Sequence, residues 1–149
     1  MESSSPARVL VVAHKTAATP TLIEAVRKRA AQGPATFTLL VPNPAHGLHR
    51  VIDPEDQEAG EAEQVLALAL PLLEEAAGAR VEGKVGVASP LDAVQDALNI
   101  DGYDEIILST LPARVSRWLH LDLPRKIAGC GVPVTTVTPQ GAADRAGAA

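Results

Sequence analysis

Short unbroken apolar runs punctuate this chain, and between them apolar residues recur every three or four positions. Val9 to Ala13 and Ile106 to Leu108 are the runs, and Phe37 to Val41 and Val132 to Val137, which threonines interrupt, are read as further strands. A strand covered by helices on both faces has no wet side, so it reads as a continuous apolar run instead of an alternation. Val81, Val85 and Val87 do alternate, with Glu82, Lys84 and Gly86, which predicts a half-exposed strand at a sheet edge. Thr19 before Pro20 opens a helix carrying Leu22, Ile23, Val26 and Ala30, and Gly33-Pro34 stops it. A second helix ends near Gly78, with Pro71 expected to kink or divide it. Ser89-Pro90 opens a third, facing Leu91, Val94 and Leu98 inward, and Asp122 is placed to cap a last helix that Gly129 and Gly131 end. Strands alternating with helices imply right-handed crossovers and a mostly parallel sheet. The expected fold is α/β, a three-layer, doubly wound, Rossmann-like domain over residues 7–138, with 1–6 and 139–149 as disordered tails.

The segment after Leu108 carries the candidate chemistry. Ser109, Thr110 and Pro112 end the strand, then Arg114, Arg117, Arg125 and Lys126 follow with only Asp122 opposing them. In open α/β sheets ligands bind beyond the carboxyl ends of the strands. The first strand likewise passes into His14, Lys15 and Thr16. Hydroxyls and cations near helix N-termini suit an anion, because free backbone N–H groups already favour negative charge there. The candidate ligand-binding residues are therefore His14, Lys15, Thr16, Ser109, Thr110, Arg114, Ser116 and Arg117. The same residues have a purely structural reading, with threonines as caps and arginines on a solvated helix face. Trp118 reads as a packing anchor, with ligand stacking as the alternative.

Composition narrows the partners. Of 149 residues, 46% are hydrophobic, but there is one Phe, one Tyr and one Trp. So few aromatics give no stacking platform for single-stranded nucleic acid. The formal charge of −5 and pI near 5.3 oppose non-specific DNA binding as well. Cys130 is the single cysteine, so no disulfide framework exists and a reducing compartment fits. The apolar run at Val9 to Ala13 is too short for a signal peptide or membrane span. The expectation is a cytoplasmic protein with neither nucleic acid nor membrane as partner.

No catalytic constellation is visible. Gly-x-Ser-x-Gly, Walker and Gly-x-Gly-x-x-Gly sequences are absent, so no enzyme activity is expected. His46 and His49 stand three apart in a loop without a third ligand, and no metal site is expected. The acidic run Asp53, Glu55, Asp56, Glu58, Glu61 and Glu63 reads as a solvated helix entry matched to the macrodipole. Cys130 reads as a small buried hydrophobe. The loop 42–57 is long for an α/β connection, and is either a variable surface loop or a flap over the pocket.

Strand, hydroxyl-bearing turn, basic linker, helix and final strand together resemble the C-terminal half of a universal stress protein, and element order and length agree from Ala7 to Thr138. The resemblance implies a five-stranded parallel sheet of order 3-2-1-4-5, in the universal stress protein and adenine nucleotide alpha hydrolase-like group. It places the switch point between Ala13–His14 and Ser109–Thr110. ATP-binding members carry Gly-x2-Gly-x9-Gly-Ser/Thr after the fourth strand. Here those four positions are Ser109, Pro112, Asp122 and Leu123. Pro112 lacks an N–H, Leu123 lacks a hydroxyl, and Asp122 would set a carboxylate against a phosphate. Where those members usually have an Asp after the first strand, this chain has Ala13-His14. No cofactor is therefore expected, ATP included.

Two functions stay open: a sensor of a small anionic ligand, or a ligand-free dimeric interaction module. A cleft with ordered arginines favours the first; one filled by Leu111, Trp118 and Leu123 favours the second. The final strand, with Val132, Val134, Thr135, Thr136 and Val137, carries no charge and only Pro133 to blunt it. As an edge strand it would pair with a second copy. Universal stress proteins commonly dimerise through this strand, which points the same way.

Overall fold

A computed structural model describes residues 5–43, 60–112 and 114–139. The elements run β1 (Ala7–Val12), α1 (Pro20–Gln32), β2 (Ala35–Pro42), α2 (Glu61–Ala77), β3 (Val81–Gly86), α3 (Pro90–Ile100), β4 (Glu105–Ser109), α4 (Arg117–His120), α5 (Leu123–Ala128) and β5 (Val134–Val137). All four strand pairings are parallel, and the order is β3-β2-β1-β4-β5. The doubly wound sheet expected from the apolar runs is the sheet observed.

β1 lies at the centre. Its Val9, Val11 and Ala13 face one core layer with Leu22, Val26 and Leu73. Leu10 and Val12 face the other, with Val94, Ile106, Leu108 and Ile127. Both sets are essentially inaccessible to water, which is why the run shows no polar alternation. Val12 pairs with Leu40 and with Leu108. The ends of β1, β2 and β4 therefore come level, and their next residues share one rim.

The helix signals hold where caps were readable. Thr19 Oγ1 accepts from the Leu22 N–H, and Ser89 Oγ from the Asp92 N–H, each ahead of a proline in the first turn. Of the two outcomes expected at Pro71, division does not occur, because α2 runs through it as one helix. Pro71 removes the donor for the Ala67 carbonyl, and both residues are exposed, so water can take that bond. β3 is an edge strand, but only Val81 of its valines is buried. Val85 and Val87 are 42% and 50% exposed. The cover is concentrated at Gly83, where an added Cβ would come within 2.9 Å of both Leu66 and Leu70.

The last strand is shorter than the pattern predicts. Val132 precedes β5 and packs on the α3–α5 layer. Pro133 has no N–H, though its carbonyl accepts from the Ile106 N–H, so pairing begins there and the strand proper follows. The loop 44–59, with His46, His49 and the acidic positions Asp53 to Glu58, lies outside the described residues, as do 1–4 and 140–149. No described helix is long and apolar enough to cross a membrane.

Candidate ligand-binding cleft

Strand order reverses between β1 and β4, and the chains leaving the two strands diverge there. A cleft of about 560 Å³ opens between them, within the range that small molecules occupy. His14, Lys15 and Thr16 line it from the end of β1, Pro42 and Asn43 from β2, and Ala88 and Pro90 from the β3–α3 turn. Ser109, Thr110 and Leu111 follow from β4, then Val115, Ser116, Arg117, Trp118 and Leu121. Seven of the eight sequence-predicted residues are thus brought together. Arg114 is exposed and does not line the cleft. The reason lies in the turn before α4, where the Val115 N–H bonds the Pro112 carbonyl and leaves Arg114 outside.

The hydroxyls are already employed. Thr16 Oγ1 and Ser109 Oγ share a buried hydrogen bond of 2.5 Å that ties β1 to β4 across the switch point. Thr110 Oγ1 lies 2.8 Å from Thr138 Oγ1, and also donates to the Leu111 carbonyl at 3.0 Å. Ser116 Oγ accepts from the Leu119 N–H and caps α4. Capping and bridging, the structural reading of these residues, accounts for their positions, so the charged and heteroaromatic side chains set the cleft's chemistry.

Those side chains divide it. Arg117 and Lys15 are exposed cations. His14 differs, because burial pushes its pKa below the ordinary histidine value, opposed by the Glu61 carboxylate and assisted by Lys15. Its side chain is 14% exposed, with Glu61 at 4.0 Å. At neutral pH it brings an uncharged imidazole, not a third cation. Its Nε2 and the Oδ1 of Asn43 are the two buried side-chain atoms without a protein partner among the described residues. Asn43 escaped sequence analysis because it read as the start of the 42–57 loop. The usable signal was its place directly after a buried strand beside β1.

The four positions of the glycine-rich pattern each have another task. Ser109 bridges to Thr16, Pro112 accepts in the turn, and Leu123 is 4% exposed in the core. Asp122 stands at the start of α5 in left-handed backbone, φ 60°, without a side-chain cap. Asp tolerates that conformation better than most residues other than Gly. Its carboxylate lies 3.4 Å from Arg125 Nε and does not line the cleft. Asp122 holds the expected N-cap position, but the expectation of a side-chain cap is corrected, and its carboxylate lies away from the cleft lining. Trp118 packs on the α3–α5 layer and also lines the cleft, so the two readings of it coexist. Cys130 is partly exposed, not buried, and its thiol lies 3.9 Å from the Lys126 carbonyl. No group of three or more potential metal-ligating side chains occurs among the described residues.

No protein-family profile matches the chain, and no curated protein matches it in sequence. Solved structures do match in fold. A universal stress protein from Archaeoglobus fulgidus superposes with a TM-score of 0.62 at 17% identity, covering 88% of this chain and 93% of its own. A universal stress protein in complex with cAMP gives 0.61 at 17%, over 91% and 98%. The Archaeoglobus fulgidus protein in complex with dAMP gives 0.58 at 18%, over 89% and 98%. The fold is that of the universal stress proteins.

Proposed function

We propose that this protein is a universal stress protein-like cytoplasmic sensor that binds a small anion carrying a single phosphate, and does not use ATP in the manner of the family's ATP binders. The observation that supports this most is the ligand-sized cleft at the switch point, with Arg117 and Lys15 beside an uncharged polar corner. The bridge between Thr16 and Ser109 occupies side-chain space where a glycine would admit a polyphosphate, and Pro112 supplies no N–H. A single phosphate needs no such cradle. Structural neighbours in complex with cAMP and dAMP have ligands with one phosphate each. The proposed role is binding, in keeping with the lack of a catalytic sequence motif. A native mass spectrum of freshly purified protein tests the reading. A retained adduct below about 500 Da, lost in Arg117→Ala, supports it. The bare polypeptide mass with no uptake of added AMP argues against it.

The second reading, a dimeric module without ligand, is favoured by β5. It is an edge strand with Val134 and Val137 half-buried and Thr135 and Thr136 exposed. An isologous contact through it would satisfy its free backbone groups. Sedimentation is expected to show a dimer, and Val134→Lys a monomer. A wild-type monomer at micromolar concentration removes this contact from the account.

A further inference from the structure

The outer face of α2 is apolar where a surface helix should be polar. From Val65 to Leu73 the helix carries no charged or amide side chain, so about two and a half turns are apolar all round. One side is accounted for. Ala62, Ala69, Leu73 and Ala76 are buried in the core, and Leu66 and Leu70 pack against Gly83 of β3. The opposite side is not. Gln64, Ala67, Leu68, Pro71, Leu72 and Glu75 are all exposed, at the spacing of a single helical stripe. Leu68 is 66% exposed and Leu72 38%. A helix apolar on every side is normally buried on every side, yet among the described residues nothing covers this stripe.

The stripe is its own complement. Turned about a two-fold axis that crosses α2 between Ala69 and Leu70, a second copy sets Leu68 against Pro71, Ala67 against Leu72 and Gln64 against Glu75. Small meets large at Ala67 and Leu72, and the Gln64 amide can donate to the Glu75 carboxylate. Parallel packing would instead set Glu75 beside Glu75 and Ala67 beside Ala67, a like-charge contact next to a gap. Antiparallel helices also oppose their dipoles favourably. We propose that this face of α2 receives a second copy of the chain in an antiparallel, isologous helix pair. The face lies over β2 and β3, at the end of the sheet away from β5, so the contact is separate from any pairing of β5 and independent of the cleft. Its six residues fall well short of the roughly 20–30 a side of a standard interface. The pair is therefore weak, with a dissociation constant on the order of 100 µM.

Sedimentation of the full chain from about 10 µM to about 1 mM tests this. The average mass of wild type is expected to rise across that range toward at least twice its starting value. Leu68→Glu, at an exposed position, should abolish the rise and leave the thermal melt unchanged. The rise should persist in Val134→Lys, where β5 cannot pair; its loss there assigns the association to β5 and overturns the proposal. Charge then reads the register. Gln64→Glu sets two carboxylates together and should weaken association about threefold, whereas Gln64→Lys should strengthen it by a similar factor. Adding Glu75→Lys to Gln64→Glu should restore the wild-type value. A constant wild-type mass, a rise that survives Leu68→Glu, or Gln64→Glu and Gln64→Lys acting alike each overturns the helix pair. So does a Leu68→Glu chain that melts early with no change in association, which would place the stripe's cover within its own chain.

Discussion

The two rims of the sheet treat their polar groups differently. At the amino end the charged side chains named here are tied. Asp104 accepts from the Arg8 N–H at 2.8 Å, Arg8 bonds the Asp101 carbonyl and lies 5.1 Å above the Tyr103 ring. Lys84 and Tyr103 both reach the Asp101 carboxylate, and Arg29 holds Glu105 through two bonds of 2.9 and 3.0 Å. At the carboxyl end the hydroxyls are tied, but among the described residues His14 Nε2, with the Glu61 carboxylate 4.0 Å away, and Asn43 Oδ1 have no hydrogen-bond partner. Leaving a buried polar atom unpaired costs about 1–3 kcal/mol. Both unpaired atoms lie on the rim where strand order reverses, the end of such sheets at which ligands generally bind. The amino rim ties strands and helices together, and the carboxyl rim is the one the proposed function assigns to a ligand.

The contrast breaks most visibly at the cleft's charged end. Arg117→Ala is expected to weaken AMP binding about tenfold, a charge-assisted contact of roughly 1.4 kcal/mol. Arg114→Ala, outside the cleft, should leave affinity unchanged in the same titration. Equal losses in the two variants would return both arginines to a diffuse surface field.

At the tied rim the expected effect is on stability. Glu105→Ala strips a bidentate partner from Arg29, whose side chain is only 16% exposed. Chemical denaturation should show a loss of about 1 kcal/mol, between the values of exposed and buried pairs. A matching loss in Asn43→Ala, which has no protein partner to forfeit at Oδ1, would erase the difference between the rims.

The smallest effect is in pH dependence. His14 titrates below the ordinary histidine value in the folded chain, so the unfolded chain binds its proton first as pH falls. Stability from this residue is complete above the ordinary value and is lost as pH drops from there toward the lowered folded value. His14→Phe should flatten that part of the stability profile. An unchanged profile would mean that the imidazole is not held in the dry corner.

Much of the fold was legible because burial on both faces writes itself into sequence. Val9 to Ala13 and Ile106 to Leu108 admit no polar residue, and Thr19-Pro20 and Ser89-Pro90 carry their cap chemistry locally. β5 was overextended because Val132 is apolar for another reason, packing on the α3–α5 layer before Pro133. The direction of a side chain was not legible. Nothing local tells Arg114 from Arg117, which a turn at Pro112 and a four-residue helix separate. Asp122 was misjudged for the same reason, since its backbone turns left-handed and carries the carboxylate to Arg125. Asn43 was invisible because pairing, not composition, makes it unusual.

The central claim is that this switch-point cleft takes a single phosphate and not the triphosphate of the family's ATP binders. Titration of one wild-type preparation with AMP and with Mg-ATP, under identical salt, tests it most directly. The account predicts saturable AMP binding and Mg-ATP affinity at least about tenfold weaker, about 1.4 kcal/mol. Mg-ATP binding as tightly as AMP, or more tightly, would contradict it.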